Sequence, residues 1–270
     1  MLCEFNYLAP QTLPELLEIL GAGGEGTRIL AGGTDLLVNI RAGLVSPKTV
    51  VNIKKVAGFD ALTYHPGKSL EIGAAVTVNQ LAEDAAVSAH YPLLRVCAES
   101  LASYQLRNRA TVVGNIVNAS PCADMSPALL CYEAEVVVTS KKGSRNVPIR
   151  EFFTGVKKTI LAPDEVVEKL IISIDHADGK GAYAKLKRIK GHDLALVGVA
   201  LHKKGNLLRF AVTAAAPTPI LVHDFRLADS PDDIAKEVLA AIKPIDDVRS
   251  SGEYREFMVK VYVKRLLEEV

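Results

Sequence analysis

Residues 29–36 read Ile29-Leu30-Ala31-Gly32-Gly33-Thr34-Asp35-Leu36. The apolar approach from Arg28 predicts a short strand ending at Ala31. Two glycines then make a tight turn, and Leu36 to Ala42 resumes as helix. Such a turn favours an anion, because its unpaired amides and the helix dipole both present positive charge. Thr34 adds a hydroxyl, and Asp35 is expected to cap the helix. An ordinary strand–turn–helix corner carries the same pattern, so the motif alone leaves both readings open.

Upstream, Leu13-Pro14-Glu15 opens a helix filled by Leu16, Leu17, Ile19 and Leu20, with Pro in its first turn. The glycines from Gly21 to Gly26 are expected to stop it. Gly21-Ala22-Gly23-Gly24-Glu25-Gly26 matches the GxGxxG spacing of dinucleotide folds. That fingerprint needs a strand before it and a helix after it. Here the order is reversed, so these glycines read as a helix end and a turn. Downstream, Thr49 to Ile53 is apolar and β-branched, hence a strand.

A second glycine-bearing loop is expected over Ala110–Asp124. It runs Arg109-Ala110-Thr111-Val112-Val113-Gly114-Asn115-Ile116 and continues through Asn118-Ala119-Ser120-Pro121-Cys122-Ala123-Asp124. Backbone amides, Thr111 and Asn115 can grip phosphate there. Asp124 is acceptor-only when ionised and would repel a pyrophosphate. Its useful partner is a sugar hydroxyl or the loop's own amides, unless it is simply a turn residue ahead of Pro127. Cys122 reads as a packed thiol, since no nearby His in sequence activates it. Two phosphate-friendly loops far apart in sequence suggest one ligand with two phosphates, clamped between two subdomains.

Between and beyond the loops, strands are expected at Ser69–Gly73, Glu135–Thr139 and Val166–Ile174, with a helix capped near Thr77 or Asn79 and another around Leu93–Ala102. Residues 176–181 read as a linker or exposed turn. Lys185–Arg188, Val197–His202 and Leu207–Ala215 look like successive strands, followed by a helix at Asp232–Ile242. A last helix starts at Gly252, with Tyr254, Phe257, Met258, Val261, Tyr262 and Leu266 as its core stripe. Strands and helices mix without a steady βαβ rhythm, so the class is α+β.

Composition removes several functions. The chain has 270 residues, 49% hydrophobic and 23% charged, which is ordinary globular composition. A net charge of +1 and the absence of Trp give no electrostatic or stacking case for nucleic acid. The four cysteines, Cys3, Cys97, Cys122 and Cys131, have no zinc or iron–sulfur spacing and read as free thiols in a reducing compartment. The N-terminal MLCEFNYLAP lacks the basic start and apolar run of a leader. No apolar run is long enough for a membrane span, so a cytoplasmic protein is expected. There is no P-loop lysine-serine pair, no HExxH and no nucleophile elbow, and the six histidines do not cluster at metal spacing.

Together the loops resemble the flavin-binding subunit of the molybdenum hydroxylases, the xanthine dehydrogenase and carbon monoxide dehydrogenase medium-subunit family. Ala31-Gly32-Gly33-Thr34-Asp35-Leu36 is similar to that family's first FAD pyrophosphate loop, and Arg107-Asn108-Arg109-Ala110-Thr111-Val112-Val113-Gly114-Asn115-Ile116 to its second. Ala119-Ser120-Pro121-Cys122-Ala123-Asp124 resembles the continuation whose Asp contacts the FAD sugar chain. Lys185-Leu186-Lys187-Arg188 through Asp193-Leu194-Ala195-Leu196-Val197 resembles the start of its C-terminal domain, with Lys185 as a flavin-proximal lysine; a solvated lysine in a basic run is the alternative. Asp247-Val248-Arg249-Ser250-Ser251-Gly252-Glu253-Tyr254-Arg255 resembles its C-terminal signature. One departure is Val113, where the family has the first of two glycines. If that position needs a positive φ or a close approach to phosphate, Val costs on the order of a kcal/mol or more.

The resemblance implies a PCMH/vanillyl-alcohol-oxidase-like FAD fold of two subdomains, residues 1–57 and 58–175, followed by a C-terminal α+β domain, residues 176–270. It implies FAD as cofactor, held by Leu30, Ala31, Gly32, Gly33, Thr34, Asp35, Leu36, Thr111, Gly114, Asn115, Asp124, Ile171 and Lys185, with no catalytic residue and no metal ligand. It implies a molybdenum-cofactor large subunit and a [2Fe–2S] small subunit as partners, paired as a dimer of heterotrimers. Electrons would pass from the clusters through FAD to an external acceptor. A self-contained flavoprotein of the same fold and a flavin-free assembly subunit are the competing readings.

Overall fold

The computed structural model describes residues 3–270. Met1 and Leu2, which begin the stretch read as carrying no leader, lie outside them. The chain first builds β1 (Asn6–Leu8), then α1 (Leu13–Gly23). Thr12 caps α1 by accepting the Glu15 amide, and Leu16 and Leu20 bury its inner face. The helix runs on through Gly21–Gly23, where the sequence reads a stop; the weak helix formers sit in the final turn, and the break comes at Gly24. Then follow β2 (Thr27–Leu30), α2 (Leu36–Arg41) and β3 (Thr49–Asn52). The strands form one sheet in the order β1-β3-β2, and both pairings are parallel. All three carboxyl ends therefore lie on one edge, where open α/β sheets bind ligands.

The middle of the chain supplies β4 (Leu62–His65), β5 (Ser69–Gly73), α3 (Val78–Glu83), α4 (Ala85–His90), α5 (Pro92–Ser100), α6 (Tyr104–Arg107), α7 (Val112–Val117) and α8 (Ser126–Cys131). It continues with β6 (Glu135–Ser140), β7 (Gly143–Pro148), α9 (Ile149–Phe152), β8 (Phe153–Gly155), β9 (Lys158–Thr159) and β10 (Val166–Ser173). An antiparallel sheet runs β4-β5-β10-β6-β7. Leu70, Ile72, Val136, Val138, Leu170 and Ile172 alternate onto its buried face. Sequence analysis missed β7 because, as an edge strand, it buries only Val147. It also read as loop the segment that forms α7.

The last part is a meander, β11 (Lys180–Leu186), β12 (Val197–Lys204), β13 (Leu207–Thr213) and β14 (Ile220–Arg226), followed by α10 (Pro231–Ala241) and α11 (Gly252–Glu269). The meander serves two cores. Val197, Val199 and Leu201 of β12 join α10 and α11, whereas Ala200 and Ala211 join the core of the N-terminal part of the chain. Burying a Val or Leu fully is worth roughly 1.5–3 kcal/mol, so this wall ties the parts firmly. β11 starts at Lys180, inside the expected linker, and stops before Arg188. The buried stripe of α11 is Gly252, Arg255, Val259, Val263 and Leu266. Tyr254 and Phe257, expected in the core, are exposed. The charge on Arg255 disguised the inner face, because a periodicity reading scores arginine as polar. The α+β class holds, and among the described residues no helix is long and apolar enough to cross a membrane.

Candidate functional site

The first turn leaves β2 at Leu30 and enters α2 at Leu36. Gly33 has φ +78°, the left-handed region, and a Cβ there would stand 2.9 Å from Leu30 Cδ1. Gly32 is required for another reason: a Cβ would overlap the carbonyl oxygen of Arg109. The second loop crosses directly over the first. Asp35 does not cap α2, contrary to expectation. Its Oδ1 instead accepts Asn118 Nδ2 at 2.8 Å, fastening one loop to the other.

In the second stretch Thr111 caps α7, its Oγ1 accepting the Gly114 amide at 3.0 Å. A Cβ on Gly114 would stand 2.5 Å from that hydroxyl and 3.8 Å from Ala31 Cβ, so Gly114 faces the first turn. Val113 is absent from the residues with positive φ; it is buried in the first turn of α7. The strain expected there does not arise, because the position needs a helical backbone. Asn115 Oδ1 accepts the Met125 amide at 3.2 Å and fixes the start of α8.

Asp124 is buried and turns towards the C-terminal meander. Its Oδ2 accepts Lys185 Nζ at 2.8 Å and its Oδ1 accepts the Tyr183 hydroxyl at 3.1 Å. Neither partner is an amide of its own loop. Burial raises the Asp124 pKa, opposed by the Lys185 charge and by hydrogen bonds from Lys185 and Tyr183. The Lys185 side chain is only 4% exposed, which removes it from the solvated run that Arg188 and Lys190 occupy. Burial also pushes the Tyr183 phenol well up. Sequence analysis missed Tyr183, although alternation along a strand puts residues two apart on the same face, beside Lys185. Ile171 lies on the face of β10 opposite Leu170 and Ile172, paired in register with Glu71 and Glu135. No described contact brings it to either loop.

The 247–255 signature closes the assembly from behind. Asp247 Oδ1 accepts the amides of Arg249 at 2.8 Å and Ser250 at 3.1 Å, while Oδ2 accepts Arg249 Nη2 at 2.8 Å. Arg255, fully buried, donates from Nη1 to the carbonyls of Leu196 and Ala214, both at 2.8 Å. Its Nη2 lies 2.8 Å from Asp247 Oδ1, an ion pair that is not aligned as a hydrogen bond. Burial works against the Asp247 carboxylate, but the bonds from Arg249 and Ser250 and the Arg255 charge hold its pKa far below the usual range. The Ala214 amide in turn donates to Pro121 at 2.8 Å, and Arg249 Nη1 reaches Cys122 Sγ at 3.8 Å. The signature thus grips the loop that carries Asp124.

Residues 3–173 match the family described as FAD binding domain in molybdopterin dehydrogenase. Residues 181–270 match the one described as CO dehydrogenase flavoprotein C-terminal domain. The chain belongs to the FAD-binding medium-subunit family of the molybdenum hydroxylases. The xanthine dehydrogenase FAD-binding subunit of Escherichia coli O157:H7 is 32% identical, over 98% of this chain and 95% of its own. The carbon monoxide dehydrogenase medium chain of Hydrogenophaga pseudoflava is 31% identical, over 98% and 96%. The solved carbon monoxide dehydrogenase from that organism, in a form lacking the Mo-pyranopterin moiety, matches with TM-score 0.89 at 29% identity, over 98% and 96% of the two chains. Quinoline 2-oxidoreductase from Pseudomonas putida 86 matches with TM-score 0.90 at 25% identity, over 100% and 97%.

This medium subunit is an oxidoreductase subunit whose cofactor is FAD. The residues present fit that group. Two glycine-bearing turns, one between β2 and α2 and the other between α6 and α7, face each other, and both carboxylates near them are already engaged, Asp35 by Asn118 and Asp124 by Lys185 and Tyr183. No uncompensated negative charge therefore opposes a diphosphate there. Among the described residues no cluster could hold a metal ion.

Proposed function

We propose that this chain is the electron-transfer subunit of a cytoplasmic molybdenum hydroxylase complex. It takes electrons from [2Fe–2S] clusters of a small subunit, fed by a molybdenum-cofactor large subunit, and delivers them to an external acceptor. The assembly is a dimer of heterotrimers. When bound, FAD supplies the ability to take electrons singly and release them in pairs. The chain contributes binding, orientation and electrostatics. Residues 1–57 and 58–175 each bring one loop to the cofactor, and residues 176–270 close the site.

The observation that supports this most is the mutual fastening of the loops, Gly32 beneath the Arg109 carbonyl and Asp35 bonded to Asn118. Amides from Leu30, Ala31, Gly32, Gly33, Thr34, Asp35 and Leu36 would meet the diphosphate from one side, and Thr111, Gly114 and Asn115 from the other. Asp124 would accept from the sugar chain, while Lys185 holds Asp124 in place. Ile171 enters the set on the resemblance alone. The isolated chain would turn over no organic substrate, since among the described residues no cluster of side chains could hold a metal ion. Affinity purification from the native host should recover two further chains with FAD, molybdenum and iron. A chain that purifies without flavin, or with flavin but free of both metals, refutes the reading.

A further inference from the structure

The carboxyl edge of the β1-β3-β2 sheet carries a charge arrangement that joins a lysine outside both glycine motifs to an arginine at the start of the second. β3 ends at Asn52, whose Oδ1 accepts the Lys54 amide at 3.1 Å and bends the chain towards β2. Lys54 Nζ then donates to the Ala31 carbonyl at 2.7 Å, at the mouth of the first turn. Arg109 arrives from the second loop, its own carbonyl covering Gly32. Both side chains are exposed, and neither is paired with a carboxylate among the described residues. The acid of the first turn itself, Asp35, is bonded to Asn118. Partial burial lowers the Lys54 pKa, and the Arg109 charge lowers it further, so the two cations feel each other. By contrast Lys185, Arg249 and Arg255 each have a carboxylate beside them. A cation bonded to the glycine turn, with a second on the loop that crosses it and no carboxylate on either, makes a site for an anion.

We propose that Lys54 and Arg109 are binding residues for the FAD diphosphate, supplying the counter-charge that the glycine turns lack. This rests on the FAD-subunit reading above. Amides orient the phosphate oxygens, and the two cations neutralise them from the sheet edge.

The test titrates FAD into flavin-free full-length chain and reads flavin fluorescence, comparing Lys54→Met and Arg109→Met with Lys54→Arg and Arg109→Lys. Each charge removed should weaken FAD about fivefold, and the double Met variant about twentyfold. The charge-keeping variants should stay within about twofold of the parent. The salt dependence of affinity should also be shallower in the double Met variant. Unchanged affinity in the double Met variant overturns the proposal. Equal losses in charge-keeping and charge-removing variants also overturn it, because Lys54 would then be only a strut for the turn. A parent chain that binds no FAD at all sinks the FAD-subunit reading itself, a result distinct from the other two.

Discussion

Arg255→Met is the sharpest probe of how the C-terminal signature works. The side chain is 2% exposed and its guanidinium serves three acceptors, the carbonyls of Leu196 and Ala214 and the Asp247 carboxylate. Met fills much of the volume and donates nothing. Removing one partner of a buried ion pair costs about 3–5 kcal/mol. Asp247 keeps Arg249 and two backbone amides, which argues for the low end; the two carbonyls left without a donor add back about 1 kcal/mol each at most. A net loss of about 3–5 kcal/mol follows, or roughly 6–20 °C in melting temperature for a chain of this size. Thermal unfolding followed by circular dichroism measures it. The sign of the pH effect is fixed as well. Asp247 has a folded pKa held below its unfolded value, so its contribution is complete above about pH 4 and is lost as pH falls towards the folded pKa. Arg255 provides part of that depression, so the gap between parent and variant should narrow below about pH 4. A variant melting within about 1 °C of the parent at neutral pH would show that the node holds nothing together.

Three further outcomes are expected. Gly32→Ala places a methyl against the Arg109 carbonyl, prises the two loops apart and should weaken FAD about tenfold, read by fluorescence titration; unchanged affinity would mean that the loops need not touch. Val113→Gly, which restores the family's paired glycines, should lower stability by about 2–4 kcal/mol in urea, since it removes a buried side chain from a helix; a gain in stability would contradict the helical reading of this position. Lys185→Met strands the buried Asp124 carboxylate, and adding Asp124→Asn should recover about 2 kcal/mol in a double-mutant cycle; additive losses would mean the pair does not couple.

What sequence could and could not reveal divides along physical lines. The strand–glycine–helix order around Gly32 was legible because each step has a local signature, and the rejected glycine cluster at 21–26 failed for the same local reason. Asp35 was misjudged because an aspartate ahead of a helix is usually a cap, whereas here a residue from the other loop, Asn118, claims the carboxylate. Val113 was misjudged because a substituted glycine suggests a positive φ, and only the Thr111 cap reveals a helix start. On α11 Leu266 is buried as expected and Met258 and Tyr262 pack against the core, but Tyr254 and Phe257 are exposed because the first turn points Arg255 inward instead. The misreadings of Asp35 and Arg255 have one origin. Partners distant in sequence decide what a polar residue does, and periodicity counts polar residues only as exposed.

The Lys185–Asp124 pair changes what can be asked of a lysine proposed to lie near the flavin. A lone buried lysine beside a flavin would act as a point charge, stabilising an anionic reduced ring. Lys185 is not alone: its ammonium is 2.8 Å from Asp124 Oδ2, and Tyr183 donates to the other oxygen. Opposite charges at that distance present a dipole, whose field falls off faster than that of either charge. The group is therefore better suited to fixing the Ser120–Asp124 loop against the meander than to setting a potential at range. The same loop is held by the Ala214 amide on Pro121 and by Arg249 near Cys122. Three attachments, two from the C-terminal meander and one from the segment before α11, thus converge on five consecutive residues of the second loop. That convergence explains why the C-terminal signature accompanies the flavin loops in one chain: it supplies the rigidity that a short stretch of small residues cannot supply for itself.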